Sequence, residues 1–274
     1  MSERNAKGKT PEDYGFHMPG KDPFHIDLNE KSSVKKIIGV VSGKGGVGKS
    51  FVTSMLASEM MRRGHRTAVL DGDITGPSQG KAFGIHEPAT GDGKYIYPYV
   101  SPKGIQVITT NMILDSDDTP VIWRGPMVAN ILKQFYTDVI WDNVDYMFVD
   151  MPPGTSDVPL TAFQSIPLDG IVVVTSPQEL AGMVVKKAIN MAEKMNIKVI
   201  GLIENMSYVK CPHCGEKIEV FGKSHLAEIA DEFHLPVLAR IPLDPEISEA
   251  ADAGKIEDLE VEELKPAADA VENF

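Results

Sequence analysis

The chain has 274 residues, 42% of them hydrophobic, enough for one large α/β domain or two small ones. A formal charge of −12 and an isoelectric point near 5.0 argue against nucleic-acid partners, whose affinity draws on Lys and Arg. No apolar run reaches the roughly 18 residues needed to span a bilayer, and the opening MSERNAKGKTPEDYG lacks the apolar segment of a secretory signal, so the expected location is the cytoplasm, away from membranes.

In chain order, residues 1–35 are polar, mix both charge signs and hold no period of 2 or 3.6, which predicts a flexible N-terminal tail ahead of a single domain over 36–274. From Lys36, short β-branched runs alternate with longer amphipathic stretches. That is the pattern of βαβ units on a doubly wound, mostly parallel sheet with helices on both faces. Strands are predicted at Ile37–Val41, Thr67–Leu70, Ile105–Thr109, Tyr146–Val149, Ile171–Thr175, Val199–Ile203 and Val237–Ile241. The helix Lys49–Arg63 puts Val52, Leu56 and Met60 on one face and stops at Gly64; further helices are predicted near 126–138, 179–195 and 223–233. The acidic stretch with Glu257, Asp258, Glu260, Glu262 and Glu263 reads as a solvated face before a last helix interrupted by Pro266. No repeat and no linker divides the chain after residue 36.

Gly43-Lys44-Gly45-Gly46-Val47-Gly48-Lys49-Ser50 satisfies G-x-x-x-x-G-K-[ST] between the first strand and the first helix, where a P-loop belongs. Its glycines let the backbone curl so that successive N–H groups face phosphate oxygens, and the helix N-terminus adds partial positive charge. The whole run from Gly43 to Phe51 is therefore assigned to ATP, with Lys49 on the β- and γ-phosphates and Ser50 on Mg²⁺. Two acidic motifs end strands, where open α/β sheets place ligands. They are Asp71-Gly72-Asp73 and Asp150-Met151-Pro152-Pro153-Gly154. Asp150, at the end of an apolar strand, is expected to hold Mg²⁺ through water, and the Gly154 N–H to sense the γ-phosphate. Taken alone, either acid also fits a helix cap or turn.

Lys44 departs from an ordinary P-loop, since a second lysine cannot easily share the pocket of Lys49. The loop resembles the deviant Walker A family, K-G-G-x-G-K-[ST], which includes nitrogenase iron protein, MinD and ParA. The resemblance implies that Lys44 reaches across a face-to-face dimer to the partner's nucleotide and stabilises the transition state in trans. It further implies that Asp73 orients the attacking water, that Asp71 supports the Mg²⁺ shell, and that Asn205 meets the adenine edge with the loop Pro242–Pro245 beside it.

The chain has two cysteines, Cys211 and Cys214, in a C-x-x-C turn. Two thiolates fall short of the four that a tetrahedral zinc or a [4Fe–4S] cluster takes, and a symmetric dimer would supply the missing pair. A zinc bridge, an idle thiol pair and a redox pair stay open on the residues alone. The motifs GKGGVGKS, DGDITGPS, DMPPGTSD, ENMSYVKCPHCG and IPLDPEISEAADAG, in this order from Lys36 to about Gly254, resemble the Mrp/ApbC subfamily of iron–sulfur cluster carrier ATPases. That implies a homodimer bridging one [4Fe–4S] cluster through Cys211 and Cys214 of both subunits and delivering it to apo iron–sulfur proteins, with ATP hydrolysis. Scaffold relatives with a further N-terminal four-cysteine site bind a second cluster; residues 1–35 hold no cysteine, so none is expected here. The competing reading is a MinD- or ParA-like switch with a structural zinc or an unused C-x-x-C. It calls for a basic amphipathic C-terminal helix or a basic face, and the sequence offers neither.

Overall fold

A computed structural model describes residues 26–74, 76–113, 125–155, 157–178 and 181–274. The first half of the chain runs β1 Val34–Ser42, α1 Lys49–Arg62, β2 Thr67–Asp71, α2 Gln79–Ala82, β3 Thr90–Gly91, β4 Ile96–Tyr97, β5 Tyr99–Val100, β6 Gln106–Ile108 and α3 Gly125–Thr137. The second half runs β7 Val144–Asp150, α4 Asp157–Ser165, β8 Gly170–Thr175, α5 Ala181–Lys194, β9 Lys198–Glu204, β10 Val209–Lys210, β11 Lys217–Ile218, α6 Leu226–Phe233, β12 Val237–Arg240, α7 Pro245–Asp252 and α8 Lys265–Glu272.

Eight strands make one sheet in the order β12-β9-β8-β1-β7-β2-β6-β5, parallel throughout except for β5 on β6. Strands β2 and β8 are buried along their whole length, which is why their centres, Ala68-Val69-Leu70 and Ile171-Val172-Val173-Val174, read as continuous apolar runs and not as alternating ones. All seven predicted strands are present. The register sets Asp71 beside Asp150 and Val40 beside Asp150, so the carboxyl ends of β1, β2 and β7 meet at one edge. Below that edge Ile38, Leu70, Leu132, Phe135, Trp141 and Phe148 fill the core.

Four expectations change. Helix α1 does not bury one face only: every residue from Val52 to Met60 is buried, because β7, α2 and α8 surround it. Residues 26–35 are not tail. Asn29 Nδ2 donates to the carbonyls of Thr137 and Val139 at 2.8 and 2.9 Å, Ile26 and Leu28 pack on the core, and β1 already starts at Val34. Residues 1–25 of the expected tail lie outside the described residues. The acidic stretch is not wholly solvated, since Glu257 is buried and accepts from Ser101 Oγ at 2.5 Å. Pro266 stands in the first turn of α8 and does not interrupt it, because a first-turn residue needs no intrahelical N–H bond.

Candidate nucleotide site and cysteine turn

The loop between β1 and α1 curls through two left-handed glycines, Gly46 at φ +79° and Gly48 at φ +82°. A side chain at Gly48 would also collide with Asn205, whose Nδ2 would lie 2.0 Å from the new Cβ. At Gly45 and Gly46 the opposite holds: no atom lies within 4 Å of an added Cβ, so the loop's crest faces open space of the kind a phosphate chain needs.

Lys49, 5% exposed, points back under the loop. Its ammonium is hydrogen-bonded to Asp150 Oδ1 and lies 3.9 Å from Asp73 Oδ2. Asp71 is fully buried beside them and accepts from Thr109 Oγ1 at 2.9 Å and from the N–H groups of Asp73, Ser78 and Gln79 at 3.2 Å. Burial, with the Asp150 charge next to it, pushes the Asp71 carboxyl up to about 7. Asp71, Asp73 and Asp150 set acidic oxygens around one ammonium in a low-dielectric pocket, and since no three of them are grouped to hold a metal ion by themselves, a divalent cation here would draw further oxygen ligands from the nucleotide and water. Asp71 and Asp150, side by side in the register of β2 and β7, are the carboxylates that could back such a cation.

Sequence reasoning overlooked Gln79. Its buried carboxamide donates Nε2 to Asp150 Oδ2 at 2.9 Å and to the Ser50 carbonyl at 3.0 Å, while its Oε1 accepts from Ser54 Oγ at 2.6 Å. It ties the acid of β7 to the first turn of α1. Its only signal is position, directly after DGDITGPS.

Three expected contacts take other partners. Lys44 Nζ is bonded to Gln178 Oε1 of the same chain. Gly154, at φ +94°, gives its N–H to the Ser42 carbonyl at 2.9 Å and not to the open side, because the chain beyond β7 goes on bonding to the last residues of β1, with Met151 N on Val40 O at 3.1 Å. Asn205 likewise donates Nδ2 inward, to the Val47 carbonyl at 3.0 Å. Beside it a cleft of about 140 Å³ is lined by Gly48, Phe51, Met206, Pro242, Leu243 and Asp244. Phe51 and the 242–244 loop therefore share one slot with Asn205.

The cysteines sit on a projecting ribbon in which β10 pairs with β11. The Cys211 N–H donates to the Glu216 carbonyl at 2.8 Å, and Gly215, at φ +74°, returns its N–H to the Cys211 carbonyl at 2.9 Å. The backbone N–H groups of His213 and Cys214 and the Cys214 thiol all point at the Cys211 sulfur and lower its pKa, which favours the thiolate that binds metals. Cys214 is exposed and Cys211 half-buried. Among the described residues no group of three or more His, Cys, Asp or Glu is placed to hold a metal ion, and the turn itself offers two free thiols.

A mostly parallel sheet with a glycine loop at the end of its central strand, a buried lysine and acids on two neighbouring strand ends defines a P-loop NTPase of the ParA and MinD architecture. Residues 33–274 match the ParA family model described as NUBPL iron-transfer P-loop NTPase, and the chain belongs to that family. An iron–sulfur cluster carrier protein of Clostridium perfringens is 44% identical over 238 residues, covering 84% of each chain. A nucleotide-binding protein of Archaeoglobus fulgidus, solved in complex with ADP, superposes with a TM-score of 0.75 at 36% identity, covering 83% of this chain and 90% of that one. The cell-division ATPase MinD of Pyrococcus furiosus, at 22% identity and a TM-score of 0.63 over 87% of this chain and 98% of its own, shares the fold. No helix among the described residues is long and apolar enough to cross a membrane.

Proposed function

We propose that this chain is a cytoplasmic ATPase that carries a [4Fe–4S] cluster between two copies of itself and hands it to apo iron–sulfur proteins. The observation that carries the reading is the turn at Cys211 and Cys214, half a ligand set on an exposed ribbon of a protein that also has a complete phosphate loop. Two such turns related by a two-fold axis give four thiolates. Short exposed ribbons hold such a cargo loosely, which suits a carrier more than a permanent centre. The names of the relatives point the same way.

In the nucleotide half, the N–H groups from Gly43 to Phe51 cradle the phosphates, and Lys49 exchanges its bond to Asp150 for the β- and γ-phosphates. Ser50, with Asp71 and Asp150, would hold Mg²⁺, which would supply charge neutralisation at the phosphates. Asp73, held near Lys49, orients a water whose oxygen bonds to the γ-phosphorus as the bond to the β–γ bridging oxygen breaks, giving ADP and phosphate. Lys44 must leave Gln178 to serve the partner's nucleotide, and Gly154 must leave Ser42 to meet a γ-phosphate. The base lies in the slot of Asn205 and Phe51. The net charge of −12 keeps the reading away from nucleic-acid and acidic membrane surfaces.

Anaerobic reconstitution tests it. Absorption and EPR spectra should show a [4Fe–4S] cluster that activates an apo-acceptor at a rate set by ATP. Uptake of zinc alone would return the turn to a structural role.

A further inference from the structure

Between Asn205 and Ser224 the chain leaves the sheet, carries both cysteines outward, and comes back at α6. Both ends of this excursion are fastened to one side chain. Glu204, the last residue of β9 and 1% exposed, accepts Ser207 Oγ on Oε2 and Ser224 Oγ on Oε1. A carboxylate this deeply buried needs donors on both oxygens, and the two serines supply them. Arg240 backs the arrangement from β12, with Nε 3.8 Å from Oε2 and Nη2 3.3 Å from Ser224 Oγ. Ser224 Oγ in turn accepts the Leu226 N–H at 3.1 Å and starts α6.

The same clasp borders the nucleotide cleft without being part of it. Asn205 follows Glu204 directly and holds the Val47 carbonyl of the phosphate loop at 3.0 Å. Tyr208, at the root of the excursion, accepts on its carbonyl the N–H of Leu243, which lines the cleft, at 2.8 Å. Any shift of the phosphate loop or of the 242–244 loop therefore pulls on the excursion close to its clasped end. Beyond the clasp, among the described residues, Lys210 and Tyr208 tie the ribbon to Glu263 at 2.7 and 3.3 Å.

We propose that Glu204 is a positioning residue: it clasps both ends of the cysteine-bearing excursion beside the nucleotide cleft, so that nucleotide binding sets the freedom of the Cys211–Cys214 turn and, through it, how firmly the cargo is kept. The last clause rests on the function proposed above; the clasp and its link to the cleft do not. Because such coupling is reciprocal, a loaded turn changes nucleotide affinity by the same factor.

The test uses the full chain without metal, followed by hydrogen exchange of the amides of 209–222 with and without ADP. In wild type, ADP should change exchange in this segment. In S224A the segment should exchange about tenfold faster, the equivalent of one lost hydrogen bond to a charged group. The ADP response should vanish while ADP affinity holds within about twofold, since Ser224 touches nothing in the cleft. E204A should follow S224A, and E204Q should restore the wild-type response, as its amide still accepts from one serine and donates to the other. A wild-type segment indifferent to ADP, an S224A variant that keeps the response, or acceleration spread over the whole chain would overturn the proposal. The cargo reading fails separately, through a wild type that responds to ADP yet takes up no iron when reconstituted.

Discussion

The phosphate edge of the sheet and the cysteine ribbon are built to opposite standards. At the phosphate edge Lys49, Asp71, Gln79 and Asp150 are buried, each with several partners, the two acids at the ends of strands and Lys49 and Gln79 at the starts of α1 and α2. The ribbon has two-residue strands, an exposed Cys214, and Ile218, Val220 and Phe221 open to solvent at 48%, 53% and 41%. A site that stabilises developing charge must be rigid before its substrate arrives. A site that gives its cargo away must not hold it too well, and regions of low local stability are where such movement is found.

The largest effect should come from the cysteines. Cys211→Ala or Cys214→Ala removes two of about four thiolates from a shared two-fold site, so stable cluster binding and transfer should be lost while ATP binding stays. Iron counted per dimer after anaerobic reconstitution decides it, and a variant with full iron would break the contrast between the two regions.

Within the phosphate edge, Lys44→Ala should slow hydrolysis on the order of 100-fold or more with ATP affinity nearly kept, because its charge acts in the transition state of the partner. Lys49→Ala should instead weaken ATP binding by about 100-fold, the loss of a charge-assisted contact to ground-state phosphates. Equal losses of affinity in the two variants would remove the in-trans role. Asp73→Asn should lower turnover by roughly 100-fold with ATP still bound, since the amide orients water less well; normal turnover would place the water elsewhere.

Stability sharpens the same comparison. Phe148→Ala, in the core of β7, should cost about 3–5 kcal/mol by denaturant melting, whereas Ile218→Ala on the ribbon should stay within about 0.5 kcal/mol. The smallest expected effect is chemical. With its pKa lowered by the N–H groups of His213 and Cys214, Cys211 should alkylate at lower pH than an ordinary thiol, read as a rate profile between about pH 6 and 9.

Much of this was legible in the sequence, for a physical reason. Strands covered on both faces read as near-continuous apolar runs, so β2 and β8 announce themselves, and the phosphate loop needs glycines at fixed spacing to reach φ values near +80°. What stayed hidden is long-range polar pairing. Asn29 looks like a tail residue until the Thr137 and Val139 carbonyls are placed over it. Glu257 looks solvated until Ser101 meets it, and Gln79 has no pattern of its own until Asp150 lies beside it. Helix α7 did carry a local signal, since Asp244 caps it by accepting the Glu246 N–H at 3.0 Å and Pro245 opens it, but eight residues with none buried give too weak a period to read.

Native mass spectrometry of the anaerobically reconstituted protein tests the central claim most directly, because it reads stoichiometry and cargo together. The account expects two chains carrying one cluster of about four irons and four sulfides, lost as the dimer parts. A cluster on a single chain, or a dimer holding only zinc, would contradict it.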